Sequence, residues 1–297
     1  MRKKLKQKEG LLGYLFLTPS LLAFGVFMFY PMVYTIYLSF FDWNMVKPTK
    51  TFVGFANYIA LFTDPNTLKI LKNTLLYIAI LLVVNLIIPY ILSFILSVII
   101  KKGKGFYKAT FFLPSVISLV VGSILYTWIL NPVSGPVAII ARHFGITMPI
   151  WSQTEGLVIV VLCIITSWKA FGYNFIVILA GVSGVSQDVI EAARLDGVPM
   201  IKIFKDMIIP MSSATGIYVL IYTIVQGLQF VYTPIKVITQ GGPNYASSNL
   251  IYQSYHEAFT LYRTGMSAAT SVLTIVIFMV LLILEFKFVE KGVYYEN

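Results

Sequence analysis

Six stretches of the chain, 11–41, 71–100, 106–130, 157–181, 212–234 and 267–286, run with scarcely a polar interruption. A membrane-crossing helix needs about 20 mainly apolar residues, and all six reach that length. Only a helix bonds all of its own backbone N–H and C=O groups inside lipid without closing a barrel. The pattern therefore predicts an all-α membrane protein with six transmembrane helices. The first two stretches exceed what a bilayer requires and are expected to tilt or to extend beyond it. The fifth is the least oily, because it carries Gln226, Gly227 and Gln229. Between the runs stand Asp64-Pro65-Asn66, Asn131-Pro132, Gly135-Pro136 and Gly241-Gly242-Pro243-Asn244, combinations that favour turns. No low-complexity tract, short-period repeat or second soluble domain breaks this plan.

Composition points the same way. Of 297 residues, 58% are hydrophobic and 11% charged, against about a quarter charged in an ordinary soluble domain. The net charge of +10 lies in short clusters beside apolar runs, which marks membrane orientation rather than nucleic-acid binding. Segments 1–10, 101–108, 182–211 and 287–297 hold 14 Lys and Arg, against 7 in 42–72, 132–156 and 235–266. The positive-inside rule then predicts that the first set, including both termini, is cytoplasmic. The run after the basic N-terminus is longer than a signal-peptide core and shows no small-residue cleavage pattern, so a retained first span is expected. Cys163 lies within an apolar run and reads as packing. His143 and His256 are far apart in sequence, so no metal site is expected, and no Ser/His/Asp order supports hydrolysis.

One segment departs from the oily plan. Between the fourth and fifth runs, "VIEAARLDGVPMIKIFKDMIIP" opens with Val189 and closes with Pro210, and four acidic and three basic residues stand between Asp188 and Pro210. Ser186 is placed as an N-cap, with Asp188 in the first turn. Val189, Ile190, Ala192, Ala193 and Leu195 make a mostly apolar short helix, while Glu191 and Arg194 share another face. Gly197 can take a left-handed backbone and end that helix. Pro199 suits the first turn of a second helix, striped by Met200, Ile203, Phe204 and Met207, and Pro210 is expected to close the unit at the membrane. The product is a helix–Gly–helix elbow. It either lies on lipid headgroups or docks a protein; its mixed charge suits a protein partner better than a lysine-rich interfacial face would.

This segment resembles the EAA loop of permease subunits from binding-protein-dependent ABC importers, whose pattern is Glu-Ala-Ala, three residues, Gly, nine residues, Ile-x-Leu-Pro. Glu191-Ala192-Ala193, Gly197 and Pro210 match in identity and spacing, while Met207 and Ile209 replace the Ile and Leu. "LTPSLLAFGVFMFYPMVYTIYLSF", "FVGFANYIALF", "FFLPSVIS", "SWKAFGYNFIVILAGVSGVS" and "ITQGGPNYASSNLIYQSYHEAF" are similar to the carbohydrate-uptake branch, the maltose- and glycerol-phosphate-type permeases. The resemblance implies a type I ABC importer permease fold. It divides the chain into a tail, first helix and outer loop over 1–69, a five-helix core over 70–286 with the coupling elbow at 186–210, and a C-terminal tail over 287–297. It implies a bacterial-type cytoplasmic membrane, a second homologous permease, two ATPase subunits that receive the elbows, an extracytoplasmic solute-binding protein and a sugar or oligosaccharide substrate. The chain has no G-x-x-x-x-G-K-[ST] phosphate loop, since Gly103-Lys104-Gly105 lacks the spacing. It is therefore expected to be no enzyme and to bind no cofactor or metal, with ATP and Mg on the partner subunits. A secondary transporter or channel working without an ATPase is the alternative; it would be expected to show repeats or mid-span carboxylates, and it leaves the elbow unexplained.

On this reading the ATPase-coupling residues are Glu191, Ala192, Ala193, Gly197 and Pro210. The substrate path is assigned to Lys169, Tyr173, Asn174, Gln226 and Gln229. Lys169 stands near the middle of the fourth span, where a charge is costly and usually faces a bundle interior or watery cavity. Its partner is a substrate group, the other permease or backbone carbonyls, unless it snorkels. Gln226 and Gln229 share a helix face, for interhelical bonding or for sugar hydroxyls. Asn85 and Pro89 read as packing and kink features.

Overall fold

The computed structural model describes residues 14–289, which divide into two compact units. Unit 1 comprises residues up to Thr63 together with Ser254–Leu273. It contains α1 (Tyr14–Leu38), a two-residue antiparallel pairing of β1 (Phe41–Asp42) with β2 (Thr51–Phe52), and α2 (Ala56–Thr63). Asn57 Nδ2 ties the turn after α1 by donating to the Ser39 and Phe41 carbonyls at 2.8 and 3.0 Å. Arg263 closes the later part of the unit with two bonds to the Glu257 carboxylate at 2.7 and 2.8 Å.

Unit 2, Asp64–Gln253 and the residues from Thr274 on, holds α3 (Pro65–Ile99), α4 (Lys104–Val116), α5 (Leu119–Ile129), α6 (Pro136–His143), α7 (Leu157–Ser183), α8 (Gln187–Leu195), α9 (200–211) and α10 (Ser213–Thr239). Two further helices, α11 (Leu250–Phe259) and α12 (Thr264–Val289), complete the described chain. Among the described residues five helices are long and apolar enough to cross a membrane, and the count is six if the bent pair α4 and α5 is taken as one span. The six expected runs are thus present, although residues 11–13 of the first lie outside the described residues.

The third run is a correction. It is not one straight helix: α4 and α5 meet at 100°. Pro114 removes a backbone donor and disfavours helix at its predecessor. Beyond it Ile117 (ψ 142°) and Ser118 (ψ 132°) are extended. The second run begins six residues before the expected Leu71, because Asp64-Pro65-Asn66 is a helix start. Asp64 accepts from the Asn66 N–H at 2.9 Å and Pro65 takes the first position. Gly135-Pro136 likewise opens α6. At 35 residues α3 is about 52 Å long, so it overruns a bilayer as expected.

Three other prolines do not break the helices that hold them. Pro31, Pro89 and Pro210 each follow by two residues the end of a π-helical turn, at Gly25–Phe29, Val83–Ile87 and Ile203–Ile208. The wider turn lets the residue before proline bond five residues back, as Ile88 N–H does to the Val83 carbonyl, and relieves the clash that proline makes with the turn before it. Pro210 therefore does not close the elbow. The helix runs through it to Met211 and breaks at Ser212 (φ −102°, ψ 14°).

Candidate functional site

The elbow follows the expected plan in its backbone. After α8, Gly197 stands at φ +72°. The Val198 N–H reaches back to the Ala193 carbonyl at 2.9 Å and the Gly197 N–H to that of Arg194 at 3.1 Å. This is a Schellman closure, which needs a residue free to enter the left-handed region. Pro199 then precedes the first turn of α9 in extended conformation. Ser186 occupies the N-cap position, but its side chain makes no capping bond.

One side of the elbow is built into the hydrophobic core of unit 2. Ile190, Ala193, Ile203 and Ile208 are buried against Tyr90, Phe94 and Val98 of α3, Ile178 and Val182 of α7, and Val219 of α10. Phe94 and Phe204 have ring centroids 5.0 Å apart. Arg194 Nη2 donates to the Val98 carbonyl at 2.8 Å. The other side is open: Glu191, Ala192 and Gly197 are exposed, and Leu195, expected in the apolar face of the short helix, is 89% exposed. The two alanines of the motif therefore face different surroundings, Ala192 outward and Ala193 inward. Pro210, half-buried, lies in the last turn of α9.

Lys169 is half-buried at the bend of the third span. Its Nζ donates to the Ser115 and Ile117 carbonyls at 2.9 and 2.7 Å, and the Ser115 hydroxyl donates back to the Lys169 carbonyl at 3.0 Å. Backbone carbonyls, one of the partners considered from the sequence, are what it meets within this chain. The ammonium serves carbonyls that the broken helix leaves unbonded. Close approach of the two elements depends on Gly172, where a Cβ would strike the Phe111 carbonyl oxygen.

The polar residues of the spans sort into two groups. Asn174 faces the interior, where its Nδ2 donates to the Asn85 carbonyl and Thr223 Oγ1 at 2.7 and 2.8 Å, while Asn85 Nδ2 donates to Ser167 Oγ at 2.8 Å. This network joins α3, α7 and α10. Its neighbour Tyr173 points elsewhere: its hydroxyl is 2.9 Å from that of Tyr218, and its ring lies 4.7 Å from that of Tyr222. Tyr218, Tyr222, Gln226 and Gln229 fall on one stripe of α10, since offsets of 4, 8 and 11 residues return to nearly one helix face. Tyr222 and Gln226 are half-buried, Tyr218 and Gln229 exposed. The two tyrosines were missed in the sequence, although their i, i+4 spacing in register with the glutamines was the available signal.

At the end of unit 2 away from the elbow, the Gly241-Gly242-Pro243-Asn244 turn leads into a loop folded inward. Gly241 takes φ +80°, and Ala246, Ser247, Ser248 and Asn249 are buried. Asn73 Nδ2 lies within bonding distance of the Tyr245, Ala246 and Ser248 carbonyls at 2.9, 3.1 and 3.2 Å, and Tyr77 donates to the Ser247 carbonyl at 2.8 Å.

Comparison with known proteins finds a match over residues 105–291 to the family described as "Binding-protein-dependent transport system inner membrane component". Among curated relatives, the sn-glycerol-3-phosphate transport system permease protein UgpA of Agrobacterium fabrum is 29% identical over 286 residues, covering 96% of this chain and 97% of its own. The probable ABC transporter permease protein YurN of Bacillus subtilis is 30% identical over 288 residues, with 96% and 98% covered. Among solved structures, a chain of a bacterial ABC transporter involved in import of the acidic polysaccharide alginate superposes with TM-score 0.80 at 19% identity, covering 98% of this chain and 99% of that one. A second structure of the alginate transporter, in complex with an alginate pentasaccharide-bound periplasmic protein, gives 0.79 at 20% identity, with 96% of each chain covered.

Proposed function

Because the chain belongs to the family of binding-protein-dependent transport system inner membrane components, and so is a permease subunit of an ABC importer with the type I permease fold rather than an enzyme, we propose that its elbow carries the stroke of separate ATPase subunits into the spanning helices. Family membership displaces the alternative of a transporter working without an ATPase. One observation carries the reading: the elbow is wedged by its buried side into α3, α7 and α10 while Glu191, Ala192, Leu195 and Gly197 stay open on the other. A lever needs both faces. Glu191 supplies a charge for a basic residue of the ATPase, and Leu195 an apolar anchor of the kind that dominates interfaces when buried. Ala193 keeps the elbow seated, Gly197 sets its angle, and Pro210 belongs to the π-turned helix that delivers it to α10. ATP and Mg belong to those partner subunits. The chain is a multi-pass inner-membrane protein, and the excess of Lys and Arg on the elbow-side segments supports a cytoplasmic elbow and cytoplasmic termini.

The substrate is proposed to be a sugar or oligosaccharide. A second homologous permease completes the path, and an extracytoplasmic solute-binding protein delivers the solute. The names of the relatives, which mention sn-glycerol-3-phosphate and alginate, support a polyhydroxylated solute. On this chain's half of the path, Tyr173 with Tyr218 and Tyr222 offers ring faces for sugar stacking, and Gln226 and Gln229 offer amides for hydroxyls. Lys169 and Asn174 shape the path from behind by fixing the bend of α4 and α5 and the packing of α7. Affinity capture of the co-expressed ATPase subunit tests the elbow: Gly197→Val and Leu195→Glu should reach the membrane and lose the partner. Normal capture by both variants would refute the reading.

A further inference from the structure

We propose that Arg194 is a positioning residue that binds the elbow to the elbow-side end of α3, so that elbow motion reaches this span as well as α7 and α10. The proposal rests on the elbow being the ATPase contact. α3 ends at Ile99 and Ile100 is extended (ψ 121°), so the last carbonyls of the helix have no partner within it and carry the negative end of its dipole. Two cations meet them. Lys104 Nζ donates to the Ser97 carbonyl at 3.0 Å from seven residues away, a local cap. Arg194 Nη2 donates to the adjacent Val98 carbonyl at 2.8 Å from 96 residues away, in the last turn of α8.

The difference lies in what each cation connects. α7 and α10 adjoin the elbow in the chain, through 184–186 and Ser212, and follow it by connectivity. α3 follows only by contact. Its apolar contacts with the elbow, Tyr90, Phe94 and Val98 among them, are non-directional and permit the helices to slide. A charge-assisted hydrogen bond is directional and holds register. Its position next to Leu195, the most exposed apolar residue of the elbow, sets the pin beside the surface a partner would press.

The test is hydrogen exchange on the assembled importer in nanodiscs, resting and trapped with MgATP and vanadate. In the wild type, amides of the elbow (187–198) and of the α3 end (95–100) are expected to change together. Arg194→Gln should leave the elbow response and cut the response at 95–100 by about fivefold or more. Lys104→Gln, which removes the local cap, should speed exchange at 95–100 at rest and leave its nucleotide response unchanged. A full response at 95–100 in Arg194→Gln overturns the proposal, as does an equal loss in Lys104→Gln, which would make the cap merely structural. If Arg194→Gln does not assemble, wild-type complexes titrated with nucleotide decide: parallel responses of the two segments support the link, and separate midpoints refute it. A wild-type elbow that does not respond at all instead sinks the ATPase contact itself.

Discussion

Lys169 illustrates how much one side chain can say in a sequence and how much it leaves open. Its cost in a span was legible, because a lysine at the centre of a transmembrane helix is disfavoured by roughly 2.5–3.5 kcal/mol. Its partner was not, because the Ser115 and Ile117 carbonyls become available only when the third span bends. Lys169→Met should therefore destabilise the solubilised protein by about 1–3 kcal/mol, the cost of carbonyls left without a donor, seen as a lower melting temperature, with Lys169→Arg recovering part of the loss. An unchanged melting temperature would remove the cap from the explanation. Asn174 was legible as a polar residue of a span, but a single-residue step from Tyr173 turns it by 100° into the network with Asn85 and Thr223. The backbone of Gly197 was legible, since its expected left-handed turn at the end of α8 and a φ of +72° coincide. Gly197→Val should cost about 1–2 kcal/mol in backbone strain and redirect α9. Circular dichroism should show near-native helix content, while capture of the ATPase fails.

At the level of elements, hydrophobic runs located five long spanning helices and the bent α4–α5 pair, because length in lipid is a hard constraint. Their ends and breaks were less readable, because proline and turn residues act through context. Pro114 takes part in breaking a helix, whereas Pro31, Pro89 and Pro210 are crossed by π turns. Asp64-Pro65-Asn66 opens a helix although its residues also favour turns. The inward loop after Gly241 is held by a residue that gave no signal in the sequence, Asn73, whose amide meets three of its carbonyls. Asn73→Ala should free that loop. Hydrogen exchange over 245–249 is expected to accelerate at least tenfold, the effect of losing about 1.4 kcal/mol of local stability, with the elbow unaffected. Unchanged exchange there would show that burial alone holds the loop.

For the molecule as a whole, the charged segment in an oily chain is explained by having two faces. Its apolar face is spent on α3, α7 and α10, while Glu191, Ala192, Leu195 and Gly197 stay exposed on the other. Leu195 marks that face best, because a solvent-exposed leucine beside Glu191 and Gly197 stabilises nothing in the isolated subunit. The protein also supplies a convenient background for testing it, since its one cysteine, Cys163, is buried. A Leu195→Cys variant of the full importer, treated with a short bifunctional thiol reagent against cysteines placed in turn over the ATPase surface, measures the contact directly. We expect a cross-link to the ATPase subunit, and modification by a membrane-impermeant maleimide only from the cytoplasmic side. Modification from the outer side, or no cross-link from any ATPase position in an assembled and active importer, would contradict the elbow as the lever between the two.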